Sequence, residues 1–334
     1  MSISAKELAQ KLNISPATVS MVLNNKPGIS EKTRTLVMDA AREYGYHFSK
    51  KAEAAFQKGR IQFVTYKKQG TIVADTPFWV TEGVEYGCKT AGYELLVTYF
   101  HEDSDIDTQI RMLAEKNCSG ILLLGTELSE KDFRPFSRLN IPIVVLDTYF
   151  EELNCDCVLI NNVQGAYTAT SYLISRGFSE VGYLRSSYSI GNFEERADGY
   201  YKALRHHGIS TGHPYAHRLA PSIDGAYQDM KKLLADAPSL APAYFADNDL
   251  IAAGAMRALK EYGYRIPEDI SIIGFDGSSI CDVLDPPLTS MAVPRPRLGE
   301  LGVERLISKI CHSDSTVVKM EVAPWLREGK SVAK

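Results

Sequence analysis

Four apolar runs with the look of buried strands end on polar residues: Asp147 after PIVVL, Asn161 and Asn162 after CVLI, Asn248 after PAYFAD and Asp276 after ISIIGF. In open parallel sheets, ligands bind beyond the carboxyl ends of the strands, so these positions are candidates for a binding site. Carboxylates and amides each engage pairs of neighbouring hydroxyls, which is the pattern a sugar offers. Arg196 opens an Arg-Ala-Asp-Gly-Tyr run at an expected helix start. Its fixed fork of donors suits a ring oxygen and a hydroxyl together. Phe78 and Trp79 stand at the start of a helix that Thr76 is expected to cap, where aromatic faces would stack on a pyranose. Plainer roles compete: Phe78 and Trp79 as core, Asp147 and Asp276 as caps, Arg196 paired with Glu194. Two acids against one arginine favour a neutral polyol over a phosphorylated ligand, because unpaired buried charge is costly.

A second constellation lies in SAKELAQKLNISPATVSMVLNN, residues 4 to 25. Ser4 and Glu7 form a capping box for a first helix to about Leu12. Ser15 followed by Pro16 is an N-cap with proline at N1, so a second helix runs to about Leu23. Ala9, Leu12, Ile14, Val19, Val22 and Leu23 fall where a two-helix corner needs small or apolar residues, leaving Pro16, Ala17, Ser20 and Met21 outward. Ser30 caps a third helix whose Leu36, Val37, Ala40, Ala41 and Tyr44 form one apolar stripe. Such a corner is one that reads DNA, although many small helical pairs look alike and pack only against their own domain. From Leu12 to Asn25 it contains no Lys or Arg, so arginine-to-guanine contacts are absent from the reading helix. Ala17 and Met21 are then expected to meet thymine methyls, and Ser15, Thr18, Ser20 and Asn24 to hydrogen-bond bases or phosphates. Lys6, Lys11, Lys26, Lys32 and Arg34 would hold the backbone, with Ser30 and Thr33 beside them.

Charge divides in the same sense. Residues 1 to 60 hold ten Lys or Arg and five Asp or Glu, a net of +5, so the remaining residues carry -9 of the total of -4. A basic head on an acidic body suits a polyanion at the head alone. Hydrophobic content of 45% and charged content of 23% are ordinary for a globular chain, and 334 residues suit two or three domains. No apolar run approaches a membrane span and Met1-Ser2-Ile3-Ser4 starts no signal peptide, so a cytoplasmic location is expected. The six cysteines include no CxxC; Cys155-Asp156-Cys157 has weak metal spacing and reads better as idle thiols. His206, His207, His213 and His217 read as a solvated loop. No cofactor motif occurs.

The run from Lys6 to Tyr46, with its S-P-A-T-V-S-x-V-L-N core, resembles the head of the LacI/GalR family of bacterial repressors. GYLR, RADGYYKAL, NDLIAAGAMRALKEYGYRIPEDISIIGFD and PPLTSMAV resemble that family's effector body in order, so the likeness covers essentially the whole chain. It implies a small all-α helix-turn-helix domain and a two-lobed α/β body with parallel sheets, like the type I periplasmic binding proteins. The body's strands, at 61–66, 93–100, 120–125, 142–147, 157–162, 180–185, 242–247 and 270–276, alternate with helical stretches, a βαβ rhythm read from the residues themselves. The resemblance implies that residues matching Phe78, Asp147, Arg196, Asn248 and Asp276 line an effector cleft, with Asn192 a weaker addition. Asn161 departs from the family's aspartate.

The expected boundaries are a head over 1–46, a hinge over 47–60 and a body over 61–334. The first lobe takes about 61–160 plus 291–317, the second about 161–290 plus 318–334. In the family the hinge becomes helical on operator DNA and wedges an apolar side chain into the minor groove. Here Ala55 and Phe56 stand at the wedge, while Lys50, Lys51, Lys58 and Arg60 face phosphates. The implied function is a homodimeric transcription regulator, a repressor controlled by a sugar between the lobes and reading a near-palindromic operator. A purine or a phosphocarrier protein are alternative controllers. An α/β enzyme, or a sugar-binding transport protein, with an appended head are readings of another class. No G-x-S-x-G, Walker loop or G-x-G-x-x-G supports an enzyme.

Overall fold

The structure, a computed structural model, describes residues 3–24, 26, 28–46, 58–68, 76–210, 215–312 and 315–333. Of residues 31, 42 and 76–79 it describes the backbone only. The head is three helices: α1 (Ala5–Leu12), α2 (Pro16–Leu23) and α3 (Glu31–Glu43). Ser4 and Glu7 make the capping box, and Thr18 N donates to Ser15 Oγ at 3.0 Å. Asn13 turns the corner in the left-handed region at φ 53, a conformation asparagine tolerates. Leu8, Ala9, Val19, Val22, Leu23, Val37 and Ala41 form the small core. Leu36 departs from the expected stripe: it is half exposed, and Met38 is buried instead.

The body has two sheets. In the first, β1 (Arg60–Lys67), β2 (Glu94–His101), β3 (Gly120–Leu124), β4 (Ile143–Leu146), β5 (Asp156–Ile160) and β11 (Lys319–Val322) lie in the order β11-β5-β4-β3-β1-β2, all parallel. In the second, β6 (Val181–Ser186), β7 (Ala216–Leu219), β8 (Ala243–Ala246), β9 (Ser271–Asp276), β10 (Thr289–Ala292) and β12 (Trp325–Arg327) lie in the order β12-β10-β9-β8-β6-β7, antiparallel only at β12. Strand β3, GILLL, is buried along its whole length, which is what coverage of both faces requires. Each leucine there contributes about 2 kcal/mol of burial.

Helices α4 (Thr76–Ala91) and α12 (Arg295–His312) pack on the first sheet, and α7 (Asn162–Ser175) and α8 (Gly191–His206) on the second. The far face of the first sheet carries α5 (Ile106–Ala114) and α6 (Glu130–Phe133), that of the second α9 (Ile223–Ala235) and α10 (Asp249–Glu261), beside which lies α11 (Ile280–Val283). Helices α4 and α12 approach so closely that a Cβ at Gly83 would fall 1.8 Å from Pro296 O, and one at Gly299 2.5 Å from Val80 O. Only glycine permits that contact.

Strand pairing moves two of the expected lobe boundaries. Ala292 pairs with Asp276, so residues 291 and 292 belong with the second sheet. Lys319 to Val322 pair with Cys157 to Ile160 in the first. The chain therefore crosses after β5, after β10 and between Val322 and Trp325. Residues 58 and 60, at the end of the expected hinge, contact the body. Lys58 N donates to Gly92 O at 2.9 Å and Arg60 opens β1, where its Nε meets Glu94 Oε2 at 2.8 Å. Arg60 makes that ion pair on the surface, its side chain still about half exposed. Ala55, Phe56, Lys50 and Lys51 lie outside the described residues. Among the described residues no helix is long and apolar enough to cross a membrane.

Candidate functional site

The carboxyl ends of β3, β4, β6, β8 and β9 face one another between the lobes. Asp147 and Asp276, which close β4 and β9, have φ of 67° and 108°. A side chain held at positive φ costs energy and persists where surroundings over-determine it, a condition that clusters at functional sites. Thr126 Oγ1 donates to Asp147 Oδ2 at 2.6 Å, and Asn192 Nδ2 donates to Oδ1 at 3.1 Å. Burial pushes the Asp147 carboxyl above the usual range, while Thr126 and the charges of Arg295 and Arg196 oppose that shift.

Arg196 lies a turn and a half into α8, not at its start, and is 3% exposed. Its Nε donates to Asn162 Oδ1 at 2.9 Å, its Nη1 to Asp247 O at 2.5 Å and its Nη2 to Asp276 Oδ1 at 3.2 Å. The guanidinium lies over the Phe275 ring at 3.9 Å. Three of five donors are thus committed, which leaves one N–H on each terminal nitrogen for a bound group. The plainer pairing with Glu194 does not occur: Glu194 accepts from Arg185 and from Ser189 Oγ.

Asn248 caps α10, its Oδ1 accepting from Ile251 N at 2.9 Å, which leaves its amide nitrogen and a second lone pair on Oδ1 for a ligand. Asn161 caps α7 by accepting from Gln164 N at 2.9 Å. The side chains of Phe78 and Trp79 lie outside the described set; their backbone is in the first turn of α4.

Asn162, one of the strand-end candidates, is joined here by residues that the sequence reading did not single out. Asn162 Nδ2 donates to Glu195 Oε2 at 2.8 Å, which orients the amide that holds Arg196. Asp247 is fully buried; it accepts from Ser186 N at 2.6 Å and from the Tyr183 hydroxyl, and burial raises its carboxyl to about 6. An acid closing a buried strand, as in PAYFAD, was a usable signal. Arg295, the first residue of α12, reaches Asp276 Oδ1 at 2.9 Å. Nothing in PRPR marks it as part of the cleft. With Asp247 and Arg295 added, the charge count becomes three acids, Asp147, Asp247 and Asp276, against two arginines. A cavity of about 270 Å³ flanks Asn192 and is lined by Glu151, Glu194, Glu195 and Asp198 among others.

In the head, Pro16, Ala17 and Ser20 are exposed on α2, and Met21 is partly covered. Asn24 Nδ2 donates to Ser20 O at 2.8 Å, leaving its oxygen free to accept. Ser15 and Ser30 share hydrogen bonds with Thr18 and Thr33, each at 2.8 Å. Arg34 Nη2 donates to Lys26 O at 2.7 Å, and Lys11 lies over the Tyr44 ring at 3.9 Å, so these two cations also hold the head together. Lys6, Lys26 and Lys32 are exposed.

Residues 4–49 match the family described as bacterial regulatory proteins, lacI family, and residues 170–332 match a periplasmic binding protein-like domain. The chain is 30% identical over 339 residues to the HTH-type transcriptional repressor PurR of Mannheimia succiniciproducens, covering 98% of each. It superposes on a transcriptional regulator CelR-cellobiose complex with a TM-score of 0.73, at 23% identity and covering 98% and 99% of the two chains. The lac repressor dimer bound to operator also gives a TM-score of 0.73, at 22% identity over all of both chains. With a reading helix built as the head's α2 is, and two lobes closing on Arg196, the chain belongs to the lacI family of DNA-binding transcriptional regulators.

Proposed function

We propose that this regulator is a cytoplasmic homodimeric repressor whose effector is a neutral sugar held between Asp147, Asn192, Arg196, Asn248 and Asp276. The observation that carries this reading is Arg196, held by three acceptors with two N–H groups uncommitted, between two aspartates at positive φ. Paired carboxylates and an oriented guanidinium match vicinal hydroxyls. Three acids, Asp147, Asp247 and Asp276, against two arginines leave no surplus cation for a phosphate, and the acidic flank beside Asn192 opposes one. The cellobiose held by the structural neighbour supports the same class.

Dimerisation is supported by the lac repressor dimer and by an apolar edge in this chain. Val97 and Tyr99 are exposed on β2, the edge strand of the first sheet, and Tyr86 is exposed on α4. Edges of that kind need covering. Two heads would then read an operator with matching two-fold symmetry. The effector acts through its different affinity for the operator-competent and incompetent arrangements of the lobes.

A melting screen of the full chain against ribose, glucose, cellobiose, glucose 6-phosphate and hypoxanthine tests the effector class. A specific ligand raises the transition by mass action. Stabilisation by a neutral sugar, lost in Arg196→Ala, is the expected outcome; stabilisation by the phosphate or the purine alone would overturn it.

A further inference from the structure

Glu127 lies in the turn after β3, next to Thr126, the residue that donates to Asp147. It is 8% exposed, and its Oε1 has no hydrogen-bond partner. Tyr188, from the loop after β6 in the second lobe, leans on the carboxylate through its hydroxyl, and Lys68 at the end of β1 approaches it through its amide and its charge. The Lys68 ammonium is shared, standing 3.5 Å from Asp132 and 3.9 Å from Glu102. A carboxylate oxygen is therefore desolvated without a donor in the space between the ends of β1, β3 and β6.

Buried acceptors without partners are rare in native proteins, and each calls for a group that the chain itself does not supply. Two other such atoms occur among the described residues, Gln62 Oε1 and Arg295 Nε. Gln62 faces the neighbouring strand, with its amide on Thr98, and Arg295 is already committed to Asp276. Glu127 alone combines an unused oxygen with a position between the lobes.

Resting on the effector reading above, we propose that Glu127 determines effector specificity: its free oxygen accepts a hydrogen bond from a hydroxyl of the bound sugar, with Tyr188 closing over it. The contact extends the hydroxyl-reading surface one residue beyond the Thr126–Asp147 pair. A sugar lacking that hydroxyl would leave a buried carboxylate unpaired, the arrangement that gives the sharpest discrimination against deoxy analogues.

The test uses the full chain and the variants Glu127→Gln, Glu127→Ala and Arg196→Ala, melted without ligand and titrated with ribose, glucose, cellobiose, glucose 6-phosphate and hypoxanthine. An acceptor kept for a ligand burdens the empty protein, so ligand-free Glu127→Gln melts at or above wild type. Its melting clearly below wild type would assign the carboxylate a structural role and overturn the proposal, whichever compounds bind. For a sugar that binds wild type, Glu127→Ala weakens binding about tenfold or more and Glu127→Gln, which retains an acceptor, weakens it less. If Arg196→Ala abolishes sugar binding while Glu127→Ala leaves it unchanged, the sugar reading stands and the Glu127 contact falls. If only hypoxanthine or the phosphate binds, the sugar reading falls; Glu127 survives as an effector contact only if Glu127→Ala weakens that ligand.

Discussion

Asn192 Nδ2 donates to Asp147 Oδ1 at 3.1 Å, and this bond joins α8 of the second lobe to the end of β4 in the first. Both residues are buried. The amide is the right partner because it brings a donor without charge to a carboxylate already desolvated. Asn192→Ala removes one hydrogen bond and is expected to cost about 1 kcal/mol. Asn192→Asp sets two carboxylates against each other in the same space, and about 2 to 4 kcal/mol is expected, with the proton shared rather than both groups ionised. Calorimetric melting of the three proteins checks the order. Equal transitions for wild type and Asn192→Asp would mean that the two side chains do not meet across the cleft.

Asp276 is shared by two guanidiniums, Arg196 at 3.2 Å and Arg295 at 2.9 Å. Removing the acid leaves two nearly buried cations without it, whereas removing Arg295 leaves the Arg196–Asp276 pair in place. Asp276→Ala is accordingly expected to destabilise by about 3 to 5 kcal/mol and Arg295→Ala by clearly less. Urea midpoints compare them directly. A larger loss for Arg295→Ala would show that the arginine has a separate structural task.

The strand ends were legible because an apolar run that stops on a polar residue marks where a buried strand leaves its sheet. Asp147, Asn161, Asn162, Asn248 and Asp276 were picked out as candidates that way, and so was the helix corner, whose caps are local in sequence. The pairing of Asn162 with Arg196, 34 positions away, was not, nor were Arg295 and Glu127, whose partners Asp276 and Tyr188 lie 19 and 61 positions away. No local pattern encodes such pairings. Strands β7, β10, β11 and β12 are of three or four residues each and, unlike the equally short but wholly apolar β4 and β8, are interrupted by polar residues, so no apolar run marks them. The boundary near residue 318 was misplaced for that reason, since β11 and β12 are short neighbours that join different sheets.

Acidity offers an independent check on Asp247. Its carboxyl is raised to about 6 by burial, against about 3.9 in an unfolded chain. The folded state therefore binds this proton more tightly than the unfolded state does. The group's penalty is fully present above about pH 6 and fades as the pH falls toward 4. Asp247→Asn removes that titration, so the difference in stability between variant and wild type should shift in favour of wild type as the pH drops from 6 to 4. Melting both proteins across that range reads the slope. The absolute stability of the variant is not the readout, because the amide also changes the bonds to Ser186 and Tyr183. Parallel curves would place the ionisation elsewhere.

On the DNA side, α2 has no cation, so its affinity and its specificity should separate under mutation. Lys26 is exposed and its charge is available to a phosphate, while Arg34 is tied to the Lys26 carbonyl at 2.7 Å. Lys26→Ala should weaken binding to all sequences and reduce the slope of log affinity against log salt by about one. Arg34→Ala should do the same and in addition loosen the turn before α3. Met21→Ala removes an apolar side chain from the reading face and should change base preference at one step per half-site while leaving the salt slope unaltered, since no ionic contact is lost. Selection from random DNA, followed by titration of the recovered site at several salt concentrations, measures both quantities for each variant. The wild-type selection should return an inverted repeat without a required guanine at the step under Met21, because no arginine on α2 can hold one. A strict guanine there would mean that another part of the protein reads that base.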